Sequence, residues 1–120
     1  MFKVVFYVSD QGRVPVREFL EGLADPRAKA QIIRFVQRLA ETGWIPEPFT
    51  KSIQGSRKLR ELKVSLAGNT YRVFYSLVSG RRVLLLHGFM KKSAKTPPGE
   101  IRAAETRLKR FVEKDQDEKE

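Results

Sequence analysis

Leu59-Arg60-Glu61-Leu62-Lys63-Val64-Ser65-Leu66, Tyr71-Arg72-Val73-Phe74-Tyr75-Ser76-Leu77-Val78 and Arg81-Arg82-Val83-Leu84-Leu85-Leu86-His87-Gly88-Phe89-Met90 are three strand-like runs. Ala67-Gly68-Asn69-Thr70 and Ser79-Gly80 separate them as turn signals. In the first run Leu62, Val64 and Leu66 alternate with Glu61, Lys63 and Ser65, the period of a strand whose two faces meet different surroundings. The second run sets Tyr71, Val73, Tyr75 and Leu77 against Arg72, Phe74 and Ser76. The third carries an unbroken Val83-Leu84-Leu85-Leu86, as expected of a central strand buried on both faces.

Working outward, residues 2–8 are β-branched and aromatic and read as a further strand, ended by Ser9-Asp10-Gln11-Gly12. Pro15 opens a short helix carrying Val16, Phe19, Leu20 and Leu23 at helical spacing. Asp25-Pro26 is an N-cap followed by proline at the first helical position. Ala28, Ile32, Phe35, Val36 and Leu39 then form the buried stripe of a longer helix that stops near Gly43. Trp44 to Phe49, with Pro46 and Pro48, reads as an irregular connection. Pro97-Pro98 starts a last helix with Ile101, Ala104, Leu108 and Phe111 inward, and the tail from Glu113 is charged. The expected order is β-α-α-β-β-β-α: an α+β fold with a small, mostly antiparallel sheet, helices on one face, and Lys63 and Arg72 exposed on the other.

The charge is not spread evenly. Residues 51–95 hold eleven Lys and Arg against one acid, Glu61, which accounts for the whole net charge of +10, while the flanks cancel. The same segment is rich in aromatic and aliphatic residues, so the cations sit on folded strands rather than on a tail. A fixed cationic surface on a small domain points to nucleic acid. With 120 residues, 41% of them hydrophobic, the chain builds one core. The absence of cysteine excludes disulfides and thiolate metal sites. The N-terminus lacks a signal-peptide pattern and no apolar run approaches the ~18 residues needed to span a bilayer, which predicts a cytoplasmic protein with no membrane partner.

Three strings carry a resemblance: Tyr71-Arg72-Val73-Phe74-Tyr75, Leu84-Leu85-Leu86-His87-Gly88-Phe89-Met90-Lys91-Lys92, and Lys95-Thr96-Pro97-Pro98-Gly99-Glu100-Ile101. Together with the element order, they resemble the HigB-like, phage-derived branch of the RelE/ParE toxin superfamily. The resemblance implies a single RelE-like toxin domain over residues 1–114, with 115–120 as a charged, frayed tail. It implies the toxin of a type II toxin–antitoxin pair: a metal-independent endoribonuclease that cuts mRNA in the ribosomal A site without a cofactor. Its implied partners are a helix-turn-helix antitoxin, mRNA and the ribosome with its 16S rRNA. The apolar helix faces look satisfied within one copy, so the free toxin is expected to be a monomer.

Scission by the neighbouring 2′-hydroxyl needs a proton acceptor, cations to stabilise the phosphorane, and an acid for the 5′-oxygen. Arg72 matches the arginine that follows tyrosine in RelE-like proteins, and its planar fork suits a phosphate in its transition state. Lys63 matches a family lysine upstream of that arginine; Lys91, Lys92 and Lys95 follow the last strand, where the family places further cations. Ser65 stands where RelE itself has a second lysine, and the base-stacking C-terminal tyrosine has no counterpart, which leaves His87 and Glu61 as proton handlers. The expected catalytic set is therefore Arg72, His87, Lys91 and Glu61. The expected RNA contacts are Lys63, Lys92, Lys95, Arg60 and Phe74, the last stacking on a base from the open face.

Each candidate has a plainer reading. A strand arginine is often simply solvated, a lone histidine in an apolar strand is often a hydrogen-bonded core residue, and Glu61 serves equally as the salt-bridge partner of Arg72 or Lys63. Tyr71 and Tyr75 read as core, and Trp44 as a lid over the helix pair. A non-catalytic RNA- or ribosome-binding module would show the same basic face. A DNA-binding regulator is disfavoured because no clear helix-turn-helix signal is present.

Overall fold

The computed structural model describes residues 1–56, 58–91 and 97–119. Its element order is β1 (Lys3–Phe6), α1 (Pro15–Glu21), α2 (Pro26–Thr42), β2 (Thr50–Ser52), β3 (Arg60–Leu66), β4 (Asn69–Val78), β5 (Arg82–Lys91) and α3 (Pro98–Lys119). The strands form one sheet in the order β1-β5-β4-β3-β2. The α+β class and the mostly antiparallel sheet are as expected; β5, whose apolar run is buried on both faces as anticipated, is an interior strand between β1 and β4, with β4 at the centre. Two details were not anticipated. The connection after α2 contains a short strand, β2, paired antiparallel to β3, and β1 pairs in parallel with β5.

Local chemistry explains most boundaries. The Asp25 carboxylate accepts the backbone N–H of Arg27 at 2.9 Å and caps α2, with Pro26 in the first turn. Gly43 ends α2 in the left-handed region at φ 73°, where its N–H reaches the Leu39 carbonyl. β3 and β4 are joined by the two-residue turn Ala67-Gly68, both with positive φ (51° and 80°), the twist a tight hairpin requires.

The main correction concerns the layers: the helices do not share one face. α1 and α2 cover one face through Val16, Leu20, Ala28, Ile32 and Leu39, which pack with Leu62, Val64, Tyr71, Val73, Tyr75, Val83 and Leu85. α3 covers part of the opposite face, where Ala104 and Leu108 pack with Leu59, Phe74, Leu84 and Leu86. Phe74 is therefore fully buried rather than on an open face. Tyr71 and Tyr75 are core, as expected, whereas Trp44 is 64% exposed. Near its C-terminal end α3 is fastened by Asp115, which receives two bonds from the Arg82 guanidinium at 3.1 and 2.9 Å. Among the described residues, no helix is long and apolar enough to cross a membrane.

Gly88 marks the closest approach of α1 to β5: a Cβ there would overlap the Phe19 ring. Gly88→Ala is expected to lower stability by about 1–3 kcal/mol. Urea unfolding of the single and double variants with Phe19→Ala checks this; the costs should be strongly non-additive if the ring is the obstacle.

Candidate functional site

The alternation of β3 and β4 decides which cations meet. Lys63 stands opposite Arg72, Glu61 opposite Phe74, and Lys51 of β2 opposite Glu61. On the other side of β4, Arg72 faces Phe89, Phe74 faces His87 and Thr70 faces Lys91. Lys51, Glu61, Lys63, Arg72, Phe89 and Lys91 thus gather on the part of the second face beside α3.

At the centre, the Arg72 guanidinium donates from Nη1 to Glu61 Oε1. Glu61 is fully buried and the Arg72 side chain only 7% exposed, so the expected solvent-facing arginine is in fact an interior one. Arg72 Nε is buried and has no hydrogen-bond partner among the described residues. An unused donor on a buried charged group is costly, and is of the kind found where a ligand completes the site. Burial also lowers the Arg72 pKa.

Lys91 ends β5 and is buried. Burial first, then the nearby charges of Arg72, Lys51 and Lys63, push its ammonium down to about 8. Lys91, Arg72, Lys51 and Lys63 thus form a cationic cluster, the electrostatics an incoming phosphate neutralises.

His87 belongs to a second group. The Arg107 guanidinium, able only to donate, approaches His87 Nδ1 at 2.7 Å. Nδ1 therefore accepts, and Nε2–H donates to the Glu100 carboxylate. The same Arg107 nitrogen donates to the Leu86 carbonyl at 3.0 Å. Both imidazole nitrogens are thus committed to α3. Phe89 stands between His87 and Lys91 along β5, stacked on His87 at 5.7 Å and edge-on to Phe74 at 5.3 Å. His87 and Arg72 are diagonal neighbours on the same face of β5 and β4.

Arg60 also stands apart. It points to the helix-pair face, where Tyr75, Ser52 and Thr50 hydroxyls surround its guanidinium at 2.9 to 3.3 Å. Lys92 and Lys95 lie outside the described residues. Three participants escaped the sequence reading. Lys51 was hidden with β2, a strand only three residues long. Glu100 and Arg107 carried a usable signal, since a spacing of two helical turns puts them on one side of α3. Among the described residues, no three His, Asp or Glu side chains gather as a metal site requires.

Residues 18–109 match the family described as phage derived protein Gp49-like (DUF891). No curated protein matches the chain.

The buried pair makes a sharp stability prediction. Arg72→Ala, far from neutral, should cost about 3–5 kcal/mol because the Glu61 carboxylate loses its guanidinium in the interior. Chemical denaturation checks this, and the paired replacement Arg72→Met with Glu61→Leu should recover most of the loss.

Proposed function

This chain belongs to the phage-derived Gp49-like family, a RelE/ParE-like toxin family, and on that premise we propose a HigB-like toxin of a type II toxin–antitoxin pair that cuts mRNA in the ribosomal A site. The observation that carries the reading is Arg72: a buried guanidinium fixed by Glu61, its Nε without a hydrogen-bond partner among the described residues, near Lys51, Lys63 and Lys91. Such a group is costly in an empty protein and suited to a phosphate bearing extra charge.

In this mechanism the RNA 2′-hydroxyl gives its proton to water and its oxygen attacks the adjacent phosphorus while the bond to the 5′-oxygen of the next nucleotide breaks. The products are a 2′,3′-cyclic phosphate and a 5′-hydroxyl. Arg72 and Lys63 stabilise the pentacovalent intermediate. Glu61 is a positioning residue that holds the guanidinium. Lys91 gives its proton to the departing 5′-oxygen; a lysine lowered to about 8 is still mostly charged at neutral pH and yields its proton more readily than an ordinary one. His87 anchors α3 rather than exchanging protons. Lys92 and Lys95 extend the contact to RNA. The working protein is cytoplasmic, acts as a monomer and is neutralised by its antitoxin.

The deciding experiment is cleavage of a defined mRNA on programmed ribosomes, read by primer extension, beside the same RNA alone. Discrete cuts only with ribosomes are expected. Folded, ribosome-bound protein that cuts neither RNA would instead assign a non-catalytic binding module. Arg72→Lys, which keeps the charge and loses the fork, should lower the cleavage rate about 100-fold while circular dichroism stays unchanged.

The pH profile tests Lys91. Because the protonated form is required, kcat/KM should fall as pH rises through about 8. Lys91→Arg, which stays charged, should remove that fall. A rate that climbs through the same range would exclude Lys91 as the acid.

A further inference from the structure

On the helix-pair face of the sheet, a cleft of about 620 Å3 opens between α2 and β3, a size usual for small-ligand sites. Its floor is apolar, with Phe35, Phe49, Val64 and Leu66. The Phe35 and Phe49 rings lean on each other with centroids 5.3 Å apart, and Phe49 is 44% exposed. Aromatic surface is thus left open at the bottom of a concave site.

The walls have the opposite character. Arg27, Gln31 and Arg34 recur at i, i+4 and i+7 along α2, which sets them on one side of the helix beside that floor. Lys63 and Ser65 stand across from them on β3. No Asp or Glu lines the cleft. Arg27 is already paired with Asp25, whereas Arg34 and Lys63 form no ion pair among the described residues. An apolar ligand would leave these cations unused, and a bare anion would leave the rings uncovered. A ligand with a flat apolar body and an attached anion satisfies both, and a nucleotide is built that way.

We propose that this cleft binds one nucleotide, its base against Phe49 and Phe35 and its phosphate held by Arg34, with Lys63 at the rim. The Gln31 amide, both donor and acceptor, reads the edge of the base. The nucleotide is either free or one residue of an RNA strand, since both present the same base and phosphate. The site does not rest on the nuclease reading: the Arg72 guanidinium and its Glu61 partner lie on the opposite face of the sheet.

The test is a titration of the full-length, isotopically labelled chain, followed by amide correlation spectra. The probes are guanosine 5′-monophosphate, guanosine, inorganic phosphate and a 5′-phosphorylated RNA tetranucleotide. The monophosphate should shift the amides of Gln31, Phe35, Phe49 and Ser65 saturably. Guanosine and phosphate, each keeping half of the contacts, should bind at least about tenfold more weakly. Phe49→Leu keeps an apolar floor without the ring, and Arg34→Gln removes the charge; each should weaken the monophosphate about tenfold. Arg110→Gln, which removes an exposed charge from α3, should bind like the parent chain. A tetranucleotide that saturates the same amides more tightly than the monophosphate makes the ligand a residue of an RNA strand; otherwise it is the free nucleotide. Equal binding of phosphate alone, shifts confined to Thr70, Arg72 and Lys91, a loss with Arg110→Gln as large as with Arg34→Gln, or no saturable shift overturns the proposal. Because cleavage is not read, a chain that binds the monophosphate and cuts no RNA keeps the cleft and loses the nuclease.

Discussion

The Arg72–Glu61 pair is the interaction on which the rest of the molecule depends. It places opposite charges in the interior between two antiparallel strands, where each is costly alone. Replacing such a pair with apolar residues is often neutral or stabilising, so its presence argues for a use of the guanidinium rather than for a gain in stability. Glu61 sets the position of Arg72, and the positive field that adds to burial in lowering the Lys91 pKa is built around that fixed charge.

The second face of the sheet is consequently divided. One part is dry, closed by Ala104 and Leu108 of α3 over Phe74, Leu84 and Leu86. The other holds the cations. Phe89 stands at the border, and beyond it His87 ties β5 to Glu100 and Arg107. α3 is thereby fastened to β5 at both ends, by His87 and by the Arg82–Asp115 pair.

Much of this was legible in the residues. Asp25-Pro26 and Gly43 fixed the limits of α2, and strict alternation placed Glu61, Lys63 and Arg72 on a common face. Alternation says which residues share a face, not what covers it. The burial of Phe74 therefore depended on where α3 docks, a long-range matter that no local pattern encodes. β2 was invisible because three residues without alternation become a strand only by pairing with β3. His87 was ambiguous for a related reason: its two partners lie on a helix that follows it in the chain, at a spacing that gains meaning once that helix is laid against β5.

The parallel pairing of β1 with β5 has a consequence for the order in which the molecule can form. The first strand of the chain finds its neighbour only among residues 82–91, and β4 needs the same strand on its opposite side. During synthesis, β1 must therefore wait through more than half of the sequence before any of its backbone groups can join the sheet. Lys91, the last residue of that awaited strand, is also the one that completes the cationic pocket. A ribosome making this chain is thus exposed to the finished pocket only after most of the polypeptide has been made.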